Sequence, residues 1–116
     1  MKRLVLAVFL SAAGCFGNTE GTDTSAPVVV ITSPTGTIVA GTVVFSAGAV
    51  DDYGVEAVDF FAGTVHLLED RLPPYEVQWG TASFPDGDVQ IRVIAKDYSG
   101  NTAQAAKTVT IDNAPN

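Results

Sequence analysis

The sequence predicts an all-β domain, a sandwich of two antiparallel sheets built from seven short strands. Three observations carry this reading. Apolar residues alternate at period two in several separate stretches, most clearly Val89, Ile91, Val93 and Ala95 within Gly87–Asn101. That spacing puts one face of a strand in a core and the other in water. Clusters of Gly, Pro, Asp, Asn and Ser separate the stretches at intervals of roughly 8–15 residues, with no helical period between them. Gly, Thr and Val are plentiful while Leu and Lys are scarce, a balance that favours strands and tight turns.

The strands follow in order. Val28–Thr32 opens after Pro27 and closes at Ser33-Pro34-Thr35-Gly36, a turn cluster. After Gly41, Val43, Phe45, Ala47 and Ala49 alternate as the second strand, which ends at Asp51-Asp52-Tyr53-Gly54. Val55, Val58, Phe60 and Ala62 are the apolar positions of the third, turned by Gly63 into a short fourth strand, Val65–Leu68. Pro73-Pro74 blocks ladder hydrogen bonds and marks a loop. Tyr75, Val77 and Trp79 alternate as the fifth strand, and Thr81–Gly87 leads onward, with Asp86-Gly87 read as a hairpin-type turn. In the sixth strand Asp88, Gln90, Arg92 and Lys96 face away from the apolar row. It ends in Asp97–Asn101, where an Asp side chain can bond its own turn and Gly supplies positive φ. Ala103–Ile111 is the last strand. If each strand reverses the one before, the loops after strands two, four and six share one end with the start of strand one. That end gathers Asp51-Asp52, Glu69-Asp70 and Asp97, with Arg71 the cation written into the same turns.

The chain has 116 residues, 13 Asp and Glu against 6 Lys and Arg, and a formal charge of −7. A domain of about 90 residues buries roughly 60–65% of its unfolded surface, enough for one core without disulfides or metal. An acidic surface repels nucleic acid and anionic headgroups, so nucleic acid is not an expected partner. At the N-terminus, Lys2-Arg3 precedes the apolar run Leu4–Leu10 and the small residues Ser11-Ala12-Ala13-Gly14, which lead into Cys15. The run is far below the ~20 residues that span a bilayer, so it reads as an export signal. Cys15 is the chain's single Cys. It has no disulfide partner within the chain, and an exported free thiol is a liability. Phe16–Ala26 has no apolar period and is rich in Gly, Thr, Ser and acids, as in a disordered tether. Eleven residues of random coil span about 18 Å.

Two resemblances follow from these residues. Ala13-Gly14-Cys15 resembles the last three positions of the lipobox of bacterial lipoproteins, although Ala12 stands where that family usually has Leu. The resemblance implies a leader over residues 1–14, a diacylglyceryl group on Cys15 and a further acyl chain (palmitate, for example) on the new N-terminus. Residues 15–26 would then tie the domain to a membrane, expected at the outer membrane or cell surface. An ordinary secretory leader with an incidental Cys is the alternative. The segments from Ala49 to Phe61, Pro73–Trp79, Phe84–Asp88 and Ala95–Asn101 resemble the bacterial Ig-like domains, sandwiches of immunoglobulin and fibronectin-III type. The resemblance implies one such domain over residues 27–113, without the disulfide of antibody domains. It implies a structural, adhesive or protein-interaction role at the cell envelope rather than catalysis.

The candidate chemistry is sparse. His66 is the single His, lies in a short strand and can build neither a His-based metal cluster nor a triad. Trp79 shares a face with Tyr75 and Val77, which places it in the core rather than on a sugar-stacking platform. It is expected to pack against residues such as Phe45, Phe60 and Ile91. Tyr53 and Tyr98 fall in loops and form a candidate binding patch, for another envelope protein or a polysaccharide. Asp51, Asp52 and Asp97 either cap their own turns or gather a cation. Oxygen ligands without His or Cys would select Ca²⁺ over zinc. Paired carboxylates also suit glycosidases, but a sandwich this small offers no deep pocket, and no enzyme is expected.

Overall fold

The structure, a computed structural model, describes residues 25–114. The leader, Cys15 and most of the tether lie outside the described residues. Eight strands follow in order: β1 Val28–Ser33, β2 Ile38–Val39, β3 Thr42–Val50, β4 Val55–Ala62, β5 Val65–Asp70, β6 Tyr75–Gly80, β7 Gly87–Asp97 and β8 Thr102–Ile111. They form a five-stranded sheet ordered β2-β8-β7-β4-β5 and a three-stranded sheet ordered β1-β3-β6. The two sheets make the expected all-β sandwich.

Seven of these strands are the ones that alternation and turn chemistry define. The eighth, β2, is two residues long and carries no period. After β1 the chain leaves the small sheet and crosses to the large one. There Ile38 and Val39 run parallel to Thr110 and Ile111 of β8. Thr110 N–H donates to Thr37 O at 2.6 Å and Asp112 N–H to Val39 O at 2.9 Å. Gly41, at φ +64°, then turns the chain back into β3.

The core lies between the inner faces. Phe45 and Ala47 of β3 and Tyr75 and Trp79 of β6 close on Val58 and Phe60 of β4, Ile91, Val93 and Ala95 of β7, and Val109 and Ile111 of β8. Phe45 and Phe60 meet edge to face at 5.0 Å and 84°. Trp79 lies 6.3 Å from Phe45 and meets Phe84 edge to face at 5.6 Å. Such ring pairs add about 0.5–1.5 kcal/mol beyond the area they bury.

The segment between β6 and β7 differs from expectation. Asp86-Gly87 is not a hairpin turn, because β6 and β7 belong to different sheets and the connection crosses the sandwich through a short 3-10 turn, Thr81–Ser83. The Asp86 carboxylate accepts the backbone N–H groups of Asn113 (3.0 Å) and Ala114 (2.9 Å). Asn113 in turn accepts the N–H of Gly41 at 2.7 Å and donates to the Thr81 hydroxyl at 3.1 Å. Thr81 is fully buried and donates its hydroxyl to Gly41 O at 2.7 Å. One Asn side chain thus ties the chain after β8 to the turns before β3 and after β6. Asn113→Ala removes both side-chain bonds and leaves the Gly41 N–H without that acceptor. It should lower the unfolding free energy by about 1–3 kcal/mol, read as a lower urea midpoint at unchanged slope. An unchanged midpoint would show that water replaces the latch without loss.

Candidate functional site at the loop end

The registers place three turns at one end of the sandwich. Val28 pairs with Val50, Ala47 with Tyr75, Val58 with Asp70, and Val55 with Asp97. The β3–β4, β5–β6 and β7–β8 turns therefore emerge beside the start of β1, where the chain arrives from the tether.

Each turn is built on an aspartate, for the same local reason: a short carboxylate can accept N–H groups a few residues ahead that have no ladder partner. In the first, Asp51 Oδ2 accepts the Tyr53 N–H at 3.0 Å, and Gly54, at φ +105°, donates its N–H to Asp51 O at 3.3 Å. The other oxygen, Oδ1, is buried without a hydrogen-bond partner among the described residues. In the second, Asp70 spans the two prolines, accepting Leu72 N–H on one side and Glu76 N–H on the other, both at 3.1 Å. In the third, Asp97 is fully buried. Its Oδ1 accepts Ser99 N–H at 2.9 Å and Asn101 N–H at 2.8 Å, and its Oδ2 accepts the Asn101 side-chain amide at 3.0 Å. That amide also donates to Ser25 O at 3.3 Å, so the last turn holds the end of the tether.

The cations of this end are committed to the large sheet's outer face. Arg71 lies 3.1 Å from Glu69 and 3.4 Å from Glu56, and Lys96 lies 3.7 Å from Glu56. Exposed pairs of this kind contribute little to stability. Burial pushes the Tyr75 phenol above its ordinary range, and the nearby Asp70 and Tyr98 add to the shift.

Above this frame the loop tips expose three large side chains, beside Asp52, Arg71 and Ser99. Tyr53 is 60% exposed, Tyr98 68% and Leu72 76%. Tyr98 lies over Gly54, where a side-chain carbon would sit 3.4 Å from its ring. A shallow depression of about 290 Å³ beside them is lined by Ala26, Val28, Val50, Asp51 and Asp52.

The structure thus brings Asp51, Asp52, Tyr53, Asp97 and Tyr98 to one end, on two neighbouring turns. Among the described residues no three His, Cys, Asp or Glu side chains are grouped to hold a metal ion. His66 lies apart on β5, 2.8 Å from Asp59 and against the Phe61 ring. Sequence reasoning overlooked Leu72, which has no strand period to mark it and reads only as loop. It also overlooked Asn101, whose link to Ser25 joins residues far apart in the chain.

Fold and loop arrangement together define an Ig- or fibronectin-III-like module. The bacterial Ig domain family matches residues 27–93, more than half of the chain, and the protein belongs to that family. Among solved structures it is similar to the fibronectin(III)-like modules of Clostridium thermocellum CbhA, at 25% identity and a TM-score of 0.63, over 89% of this chain and 50% of that one. It is also similar in fold to the endo-beta-1,4-mannanase from Thermotoga petrophila, at 18% identity and a TM-score of 0.66, over 82% of this chain and 22% of that one. The chain thus spans half the length of the first and under a quarter of the second. No curated protein matches the sequence.

Proposed function

We propose that this protein is an exported lipoprotein, anchored in a membrane through Cys15, that presents one Ig-like domain for a non-catalytic structural or adhesive role at the cell envelope. The observation that carries the interaction role is the division of labour at the loop end. The Asp51, Asp70 and Asp97 carboxylates accept the N–H groups of their own turns, while Tyr53, Leu72 and Tyr98 stand in water. Exposed aromatics above a fixed frame suit contact with another envelope protein, since Tyr supplies large contact area at little conformational cost. A polysaccharide ligand is the alternative, and the same two tyrosines would stack on it.

The anchor rests on the sequence around Cys15 and on the place where the chain meets the domain. Ser25 is held by Asn101, so a tether ending there would turn the aromatic end toward the membrane. Two or three acyl chains, each buried methylene adding roughly 0.8 kcal/mol, would hold the protein there stably. Cys15→Ala should abolish fatty-acid labelling in cells and leave the precursor uncleaved by the lipoprotein peptidase. Labelling that persists in this variant would overturn the anchor. A pull-down from membranes, comparing the native protein with a Tyr53→Ser, Tyr98→Ser variant, addresses the contact role separately. Equal recovery of co-purifying proteins by both would remove the tyrosines from it.

A further inference from the structure

The four sheet edges are not alike. An edge strand shows unpaired N–H and C=O groups to any passing strand, and natural proteins guard it with brevity, charge, proline or a bulge. In the large sheet, β2 has two residues, and β5 carries His66, Glu69 and Asp70. In the small sheet, β6 carries an exposed Glu76. The remaining edge, β1, reads Val28-Val29-Val30-Ile31-Thr32-Ser33 and has no charge along its length. Its neighbour β3 has none either. The whole run from Thr24 to Val50 lacks Asp, Glu, Lys, Arg and His, in a chain of net charge −7.

Alternate β1 residues face outward. Val28 is 64% exposed and Val30 52%, while Val29 and Ile31 pack toward the core. Pro27 and Pro34 bound the strand, and a bulge falls between Ile31 and Ser33. Val28–Ile31 is left as a regular, apolar edge.

We infer that β1 pairs antiparallel with β1 of a second copy of this chain, joining two three-stranded sheets into one of six across a two-fold axis near Val30. The backbone of an edge is satisfied by another strand, which excludes a flat lipid or sugar surface as its natural cover. A second copy brings an equally neutral edge, so the repulsion between two acidic molecules is smallest when they meet here. The register is self-complementary over the regular stretch: Val30 faces Val30 of the partner, and Val29 faces Ile31. An isologous pair of this kind closes, because the other end of the small sheet, at β6, is guarded by Glu76. Edge pairing alone buries less than about 1,200 Å², so the dimer belongs to the weak, reversible class.

Sedimentation equilibrium of the purified full chain, over about 1–200 µM, spans the dissociation constants of such interfaces. A monomer–dimer equilibrium is expected, tightening as NaCl rises from about 0.05 to about 0.5 M, since salt screens the net charge and no ion pair is lost. Val30→Lys sets two cations opposite each other and should raise the dissociation constant by roughly 100-fold. The side chain points to solvent, and circular dichroism checks that the fold is kept. Leu72→Lys and Val44→Lys should leave the dimer in place. A monomer throughout the concentration range overturns the inference. So does a dimer that survives Val30→Lys, one that Leu72→Lys removes at the loop end, or one that Val44→Lys alone removes by face-to-face stacking.

Discussion

Trp79→Ala should lower the unfolding free energy by about 3–5 kcal/mol, a large share of the 5–15 kcal/mol typical of a domain. The indole is 1% exposed and lies between Phe45 and Phe84. Its removal opens a cavity at the junction of the small sheet and the crossover that leads into β7. For a domain of this size the loss lowers the melting temperature by roughly 15–30 °C. Trp79→Phe should cost far less. The indole Nε1 is buried without a hydrogen-bond partner among the described residues, and an unmet buried donor costs about 1–3 kcal/mol. Phenylalanine removes that donor, which offsets part of the packing it gives up. Thermal melts of both variants test the argument. An unchanged melting temperature for the Ala variant would place Trp79 outside the core, and equal losses for Ala and Phe would show that the ring packing Phe retains does not offset the loss of the indole.

The strands were legible in the sequence because burial on one face imposes a period of two. Tyr75, Val77 and Trp79 could be assigned to one face from their spacing alone, and the structure places all three on the inner side of β6. The gathering of the acidic turns at one end followed from strand reversal, since a chain that alternates direction returns to the same end at every second turn. What was not legible depends on contacts between distant residues. Ile38-Val39 becomes a strand because Thr110 and Ile111 lie beside it, and a two-residue bridge has no period of its own. Asp86-Gly87 has the composition of a hairpin turn, but the flanking strands lie in different sheets, and Asp86 binds the chain 27 and 28 residues later. The neutrality of β1 was present in the letters. It acquired meaning once β1 proved to be a sheet edge, because the same valines inside a sheet would be ordinary.

Asp97→Ala should rank next to Trp79→Ala in its effect on stability, at about 2–4 kcal/mol. The carboxylate is fully buried and accepts the N–H groups of Ser99 and Asn101 and the Asn101 amide. Alanine leaves those donors facing a methyl group at a fully buried position, and it loosens the Asn101 amide that holds Ser25. Asp97→Asn keeps one oxygen for Ser99 and Asn101 but turns an NH₂ group toward the Asn101 amide, also a donor, so it should fall between wild type and Ala. The same melts decide between turn capping and calcium. Calcium at 100 times its dissociation constant would add about 2.7 kcal/mol, a shift of roughly 10–20 °C for a domain of this size. Calcium takes six to eight oxygen ligands. Here Asp97 already serves the N–H groups of its own turn, and no trio of carboxylates is grouped among the described residues. Wild type should therefore melt at the same temperature in chelator and in millimolar CaCl₂, with Asp97→Ala and Asp97→Asn lowered equally in both buffers. A wild-type melt raised by calcium, with the rise lost in Asp97→Asn and in Asp51→Asn, would make these turns a metal site and remove the capping account of Asp97.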